Sequence, residues 1–348
     1  MFTDRRANSF TTKRKRQPWP KGKPFKILSL DGGGIKGLYT AHLLRLCEQR
    51  LGKGQLLASY FDMIAGTSTG GIIALGLGLG KSTDEIVSFY ETDGRRIFPS
   101  YPATWLGRIW RWLFSCFKPL LDHEELEGAL KRRFGNNKFG DVRPRIVIPA
   151  FMMPKTEITV FKTDHHPDFR NDYATPAWRV ARATSAAPTY LKGHEHNESG
   201  RIFIDGGVWA NNPVMVAIIE ALSAYDLSPN QIHVVSIGTG NPPFELSRPS
   251  VFAGWLAWKA VIKAAMFLTS DNATAQAKLL LGPDKVLRIE PTGNSATVEL
   301  DDFDRAMAEL PILATQHFAD NKSALDAFFQ ALTAVREKHY SASPQDVI

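Results

Sequence analysis

Two cysteines in 348 residues, Cys47 and Cys116, are too few for a disulfide framework. Neither stands with histidine at zinc-ligand spacing, so both thiols read as packing and a reducing cytosol is the expected compartment. No stretch reaches the roughly 18 uninterrupted apolar residues that a transmembrane helix needs, which excludes a span but not a peripheral contact with the inner face of the cell membrane. No apolar h-region follows the first positive charges, so a signal peptide is not expected. The Gly-x4-Gly-Lys-Ser/Thr spacing of a phosphate loop is also missing. Its nearest approach is Gly80-Lys81-Ser82, and Leu75 stands where the first glycine would have to be. Nucleoside-triphosphate chemistry is discounted on that spacing. No Asp/Glu cluster has calcium-loop spacing, so calcium-independent chemistry with no metal is expected.

The net charge of +7 invites a nucleic-acid reading until it is located. Residues 1–24 hold Arg5, Arg6, Lys13, Arg14, Lys15, Arg16, Lys21 and Lys23 against Asp4 alone, so the remaining chain carries no net charge. The basicity belongs to the tail, and no nucleic-acid polymer is expected as partner. With few apolar residues and with Pro18, Pro20 and Pro24, residues 1–24 read as a disordered arm, either solubilising or touching anionic lipid.

What the sequence does contain is a series of short apolar runs ending in glycine-rich turns. Lys26–Leu30 leads into Asp31-Gly32-Gly33-Gly34, and Tyr60–Ala65 into Gly66-Thr67-Ser68-Thr69-Gly70-Gly71. Arg145–Phe151, Glu157–Lys162, Arg201–Ile204, His233–Ile237 and Lys285–Ile289 read as further strands. Helical patterns separate most of them, as in Leu38–Leu51, Ile72–Leu79 and the segment capped by Ser82. Strands alternating with helices predict an α/β fold, three-layer α/β/α, with a mostly parallel central sheet. Sites in such sheets lie beyond the carboxyl ends of the strands, where the segments beginning at Asp31, Gly66 and Asp205 fall.

Gly66-x-Ser68-x-Gly70 between a strand and a helix has the form of a nucleophile elbow, which lifts a serine hydroxyl clear of the sheet on a sharp turn. The glycine run Gly32, Gly33 and Gly34 exposes backbone N–H groups of the kind that hold an oxyanion. A nucleophilic serine also needs a base, and none of the nine histidines sits in a motif. A carboxylate can serve if desolvation raises its basicity, and Asp205, directly after a strand and before Gly206-Gly207, is the candidate.

Together these segments resemble the patatin-like phospholipases, from about Phe25 to Gly240. The resemblance rests on Leu30–Gly37, on Phe61–Gly71, on Ala183-Thr184-Ser185-Ala186-Ala187-Pro188-Thr189-Tyr190, on Asp205-Gly206-Gly207 with Asn211-Asn212-Pro213, and on Ser236-Ile237-Gly238-Thr239-Gly240. It implies a Ser–Asp dyad with Ser68 as nucleophile and Asp205 as base, an oxyanion hole from Gly32, Gly33 and Gly34, and a phospholipid membrane surface as substrate. Lys36 stands where the family more often has arginine; it keeps the charge without the fork and is the candidate lipid phosphate contact. A looser resemblance, to bacterial patatin-like effectors of anti-phage defence, implies a cyclic dinucleotide activator. No motif for that ligand is present.

Residues 25–240 are thus expected to form the catalytic core, with an insert or lid at about 100–121 and a helical, candidate regulatory part of the same domain at 241–348. On a helical wheel Trp105–Leu121 shows a broad apolar face and a narrow cationic stripe, so Trp105, Trp110, Trp112, Arg108 and Arg111 are candidate membrane contacts. Val251–Leu268, apolar apart from Lys259 and Lys263, reads as a buried helix. Two rival readings are an α/β-hydrolase-type esterase with His317 or His339 completing a Ser–Asp–His triad, and a non-catalytic lipid-binding protein acting through its basic tail.

Overall fold

The structure, a computed structural model, describes residues 14–52, 54–98, 121–154, 157–187, 190–196, 200–240, 255–292 and 297–340, without the side chains of 255–267. In chain order its main elements are β1 (Phe25–Leu30), α1 (Gly37–Glu48), β2 (Met63–Gly66), α2 (Thr69–Gly78), α3 (Thr83–Ser88), α4 (Gly94–Ile97) and α5 (His123–Phe134). There follow β3 (Arg145–Met153), β4 (Glu157–Lys162), α6 (Ala177–Thr184), β5 (His194–His196), β6 (Arg201–Asp205), α7 (Gly207–Ala210) and α8 (Val214–Ala224). The chain continues through β7 (Ile232–Ile237), α9 (Trp255–Leu281), β8 (Val286–Ile289) and α10 (Phe303–Phe328).

The central strands β1, β2 and β7 are covered on both faces, which is why they read as nearly continuous apolar runs. With a period of two, Phe25 and Ile27 of β1, Met63 and Ala65 of β2, and Ile232 and Val234 of β7 enter one core, against α8 and the C-terminal end of α9. Leu28 and Leu30, Ile64, and Val235 and Ile237 enter the opposite core, against α1, α2, α3, α5, α6 and α10. Both faces are covered, as the three-layer expectation requires. β2, β1, β7 and β8 are parallel, as is the pairing of β2 with β3.

The sheet is mostly but not wholly parallel. β6, which carries Asp205, runs antiparallel to β3. β4 pairs with β3 from Val147 to Met152, while β2 pairs at Arg145–Val147 and β6 at Ala150–Met153. β4 thus occupies one edge of β3, and β2 and β6 share the other, approaching end to end. Pro149, in the gap between them, has no N–H to offer a ladder. Asp205 reaches the end of the sheet that carries Ser68 because β3 overshoots β2, and not because its own strand is parallel.

The basic tail, expected to be a disordered arm over residues 1–24, is described only from residue 14. From Arg14 onward it packs on the body: Arg14 pairs with buried Glu220, and Gln17 exchanges backbone hydrogen bonds with Ala224 and Asp226. Trp19 lies edge-on to Phe25 (centroids 4.8 Å apart) and to Tyr225 (5.6 Å). The charge and proline count that suggested disorder left out this one aromatic anchor. Residues 255–340 belong to the same body, since β8 extends the sheet and α10 packs along α1. The Asp164–Arg336 ion pair, at 2.6 Å and fully buried, ties the segment after α10 to the loop after β4. No helix among the described residues is long and apolar enough to cross a membrane.

Candidate active site

Ser68 sits where β2 turns into α2, with φ 55° and ψ −122°, and is the only non-glycine residue at positive φ among the described residues. Such a conformation costs about 1–3 kcal/mol and persists only when the surroundings impose it. Here they do. The Ser68 N–H donates to Thr184 Oγ1 at 3.0 Å, and Thr184 donates in turn to Pro149 O at 2.6 Å, in the gap between β2 and β6. Thr67 donates to Ala210 O at 2.7 Å, which fixes the other shoulder of the turn. Behind Ser68, α2 presents its N-terminus, which favours negative charge at the hydroxyl.

Asp205 is buried, with the Ser68 hydroxyl near enough to favour its ionised form, and Gly207 N–H donates to its Oδ1 at 2.7 Å. Burial pushes its carboxyl up to about 6, against the Gly207 amide and the Ser68 hydroxyl, which favour the ionised form. A carboxylate in this range is a far better proton acceptor for a serine than an exposed one.

The glycine loop crosses above this pair. A Cβ on Gly32 would lie 3.2 Å from Ser68 Cβ and 2.5 Å from Asn211 Oδ1, so the loop backbone passes directly over Ser68. The three glycine amides are not equivalent. Gly32 N–H donates to Asn211 O at 3.0 Å, because the turn after α7 packs on the loop, and Gly32 is therefore not a free donor. Gly33 and Gly34 have no N–H bond among the described residues and remain the candidate pair for an oxyanion.

Lys36 also departs from expectation. It is 5% exposed, and its Nζ donates to Gly240 O at 2.5 Å, because the turn Gly34–Lys36 folds the side chain inward. It braces the β7 exit loop and is not presented to a lipid phosphate. Trp105, Arg108, Trp110, Arg111 and Trp112 lie outside the described residues. The rival histidines are engaged elsewhere: His317 Nδ1 meets Tyr39 OH at 2.7 Å, His339 Nε2 meets Gln17 Nε2 at 3.3 Å, and neither bonds Ser68 or Asp205.

Sequence reasoning missed the layer behind the glycine loop. Asp31, buried at the head of that loop, is held bidentately by Arg288 of β8 at 2.9 and 2.7 Å. Ser270 of α9 adds a bond to the same carboxylate at 3.1 Å. Asn212, beyond Asp205, donates to Ser270 O (3.2 Å) and Thr274 Oγ1 (2.9 Å), so α9 holds both the glycine loop and the loop after Asp205. The available signal was Arg288 itself, a lone charge inside the strand Val286-Leu287-Arg288-Ile289.

An α/β/α fold with a serine on a strained strand-to-helix turn, facing a buried carboxyl under a glycine loop, defines a class: hydrolase-like proteins with a Ser–Asp pair. The description "Patatin-like phospholipase" matches residues 28–218, more than half of the chain, and the chain belongs to that family. It is 34% identical over 243 residues to a cGAMP-activated phospholipase of Escherichia coli, covering 66% of this chain and 65% of that protein. A cGAMP-activated phospholipase of Pseudomonas aeruginosa is 37% identical over 220 residues, 62% of each chain. Patatin-like protein 2 of Arabidopsis thaliana is 33% identical over 292 residues, 74% of this chain and 69% of that one.

Proposed function

We propose that the chain is a phospholipase that releases fatty acids from membrane glycerophospholipids through Ser68 and Asp205, and that a cyclic dinucleotide activates it. The observation that carries the reading is Ser68, strained at positive φ under the glycine loop and beside buried Asp205, whose carboxyl is raised to about 6. Asp205 takes the proton as Ser68 Oγ attacks the sn-1 or sn-2 ester carbonyl. The amides of Gly33 and Gly34 hold the tetrahedral oxyanion. The lysolipid leaves with the proton from Asp205, and water, activated by the same carboxylate, hydrolyses the acyl-enzyme. Activation by a cyclic dinucleotide is supported by the names of the two bacterial relatives, of which the chain matches under two thirds.

The test is fatty-acid release from mixed phospholipid vesicles, with and without cGAMP and related cyclic dinucleotides. Release by wild type that is lost in Ser68→Ala, but kept in His317→Ala and His339→Ala, is the expected result. Loss in either histidine variant would restore the triad. A calcium chelator is expected to leave the rate unchanged, because the dyad needs no Lewis acid; abolition by the chelator would refute this.

The pH profile carries a further prediction. Asp205 acts only when ionised, so kcat/KM is expected to fall as pH drops through about 6 and to level off above it. A limb near 4 would mean that the base is an ordinary exposed carboxylate.

A further inference from the structure

Arg288 has a place in the proposed reaction that no motif of the chain announces. In the sheet, Ser29 of β1 lies beside Ser236 of β7, and Ser236 beside Arg288 of β8. From two strands away the guanidinium crosses β7, takes Ser236 Oγ at 2.8 Å on the way, and reaches Asp31 with both Nη atoms. Gly238 leaves the room for it: a Cβ there would stand 2.5 Å from Arg288 Nη2 and 2.5 Å from Glu290 Oε2. Glu290 supplies the outer partner at 2.8 Å.

The pair is an unusual thing to bury beside this chemistry. Asp31 stands two residues before Gly33, the first of the two glycines proposed to bind the oxyanion, it is 1% exposed, and its charge has the same sign as the charge that develops at the attacked ester. Its neighbours Thr239, which donates to Gly32 O at 2.7 Å, and Asn211, which accepts from Gly32 N–H, fix the loop without using the Asp31 carboxylate. The loop therefore has clamps besides the Asp31 carboxylate, and Arg288 faces the charge rather than the backbone.

We infer that Arg288 is an electrostatic positioning residue, which cancels the Asp31 charge behind the glycine loop so that the loop can hold an oxyanion. The inference rests on the phospholipase reading and deepens it. Removing Arg288 leaves an uncompensated buried carboxylate within the loop that must accept negative charge. Removing the Asp31 charge leaves Arg288 and Glu290, which together carry none.

The two halves of the pair are therefore unequal, and this sets the test. Arg288→Met, Asp31→Asn and the double variant are assayed on mixed phospholipid vesicles and on a soluble nitrophenyl ester, with cGAMP present and well below each Tm. Arg288→Met should lose kcat on the order of 10²-fold, a size typical of losing one oxyanion donor. Its KM should stay within about twofold, since the effect falls on the transition state. Asp31→Asn should keep most of its kcat, and adding it to Arg288→Met should restore most of what that change removed. Because Arg288→Met is also destabilised by its unpaired carboxylate, the double variant and Gly238→Ala, which displaces the guanidinium without deleting it, keep the proposal testable if the single variant does not fold. Equal losses in Arg288→Met and Asp31→Asn would overturn it, as would an Arg288→Met protein with normal kcat and only a lower Tm. A double variant no better than Arg288→Met, or an unaffected Gly238→Ala, would also overturn it. A wild type inert toward both esters would instead overturn the phospholipase reading, and this inference with it.

Discussion

Asp205→Asn should abolish ester hydrolysis and raise the melting temperature in one change. The carboxyl titrates at about 6 in the fold instead of at its ordinary 3.8, because burial penalises the ionised form. A difference of that size corresponds to about 3 kcal/mol. The sign follows from linkage: the raised carboxyl contributes stability that is full below 3.8 and is lost as pH rises through about 6. At pH 7.5 the protein therefore holds an ionised group that its surroundings disfavour, and neutral asparagine removes that penalty. A gain of roughly 5 °C is expected at pH 7.5, shrinking toward zero at pH 4. Thermal melts of the two proteins at both pH values check it. An Asp205→Asn protein that is less stable at pH 7.5 would mean that the carboxylate is a structural partner and not a strained base.

Gly70→Ala should be damaging in a different way. A Cβ at this position would press on Leu30 O, at less than contact distance, and would stand 2.7 Å from Leu30 C and 2.8 Å from Asp31 O. All three are backbone atoms at the end of β1, so no side chain can move aside. α2 would have to shift away from β1, and Ser68 with it, away from the glycine loop. The expected loss is about 3 kcal/mol of stability together with at least roughly 100-fold in kcat/KM, since misplacement of about 1 Å is that costly. Denaturant melts and ester turnover measure the two separately. A variant that kept its turnover while losing stability would show that the loop and the elbow are less tightly coupled than the packing implies.

Much of the fold and of the site was legible in the residues, for identifiable reasons. Strands buried on both faces leave uninterrupted apolar runs, and a chain that must turn tightly at each strand end leaves glycines there; Leu30-Asp31-Gly32 and Ala65-Gly66 carry both signs. The direction of β6 left no trace, because an apolar strand reads alike in either sense; only its pairing with the overhang of β3 places Asp205 opposite Ser68. Which glycine amide is free was equally hidden, since it depends on Asn211 O, 179 positions away in sequence from Gly32. Lys36 was misjudged for a similar reason: a lysine after a glycine loop is expected at the surface, and the acceptor that draws it inward belongs to the exit of β7. The tail was misread through composition, which weighs Arg14 and Pro18 but not the aromatic socket that Phe25 and Tyr225 form for Trp19.

The central claim is that Ser68 is a nucleophile made reactive by Asp205. Its most direct test is the rate at which a fluorophosphonate, which traps activated serines as a stable phosphonyl adduct, labels the wild type, Ser68→Ala and Asp205→Asn proteins, with the site located by peptide mass. One adduct on Ser68 in the wild type, none in Ser68→Ala, and labelling slowed by at least roughly 100-fold in Asp205→Asn is the predicted result. Labelling of another residue, or an undiminished rate without the Asp205 carboxylate, would contradict it.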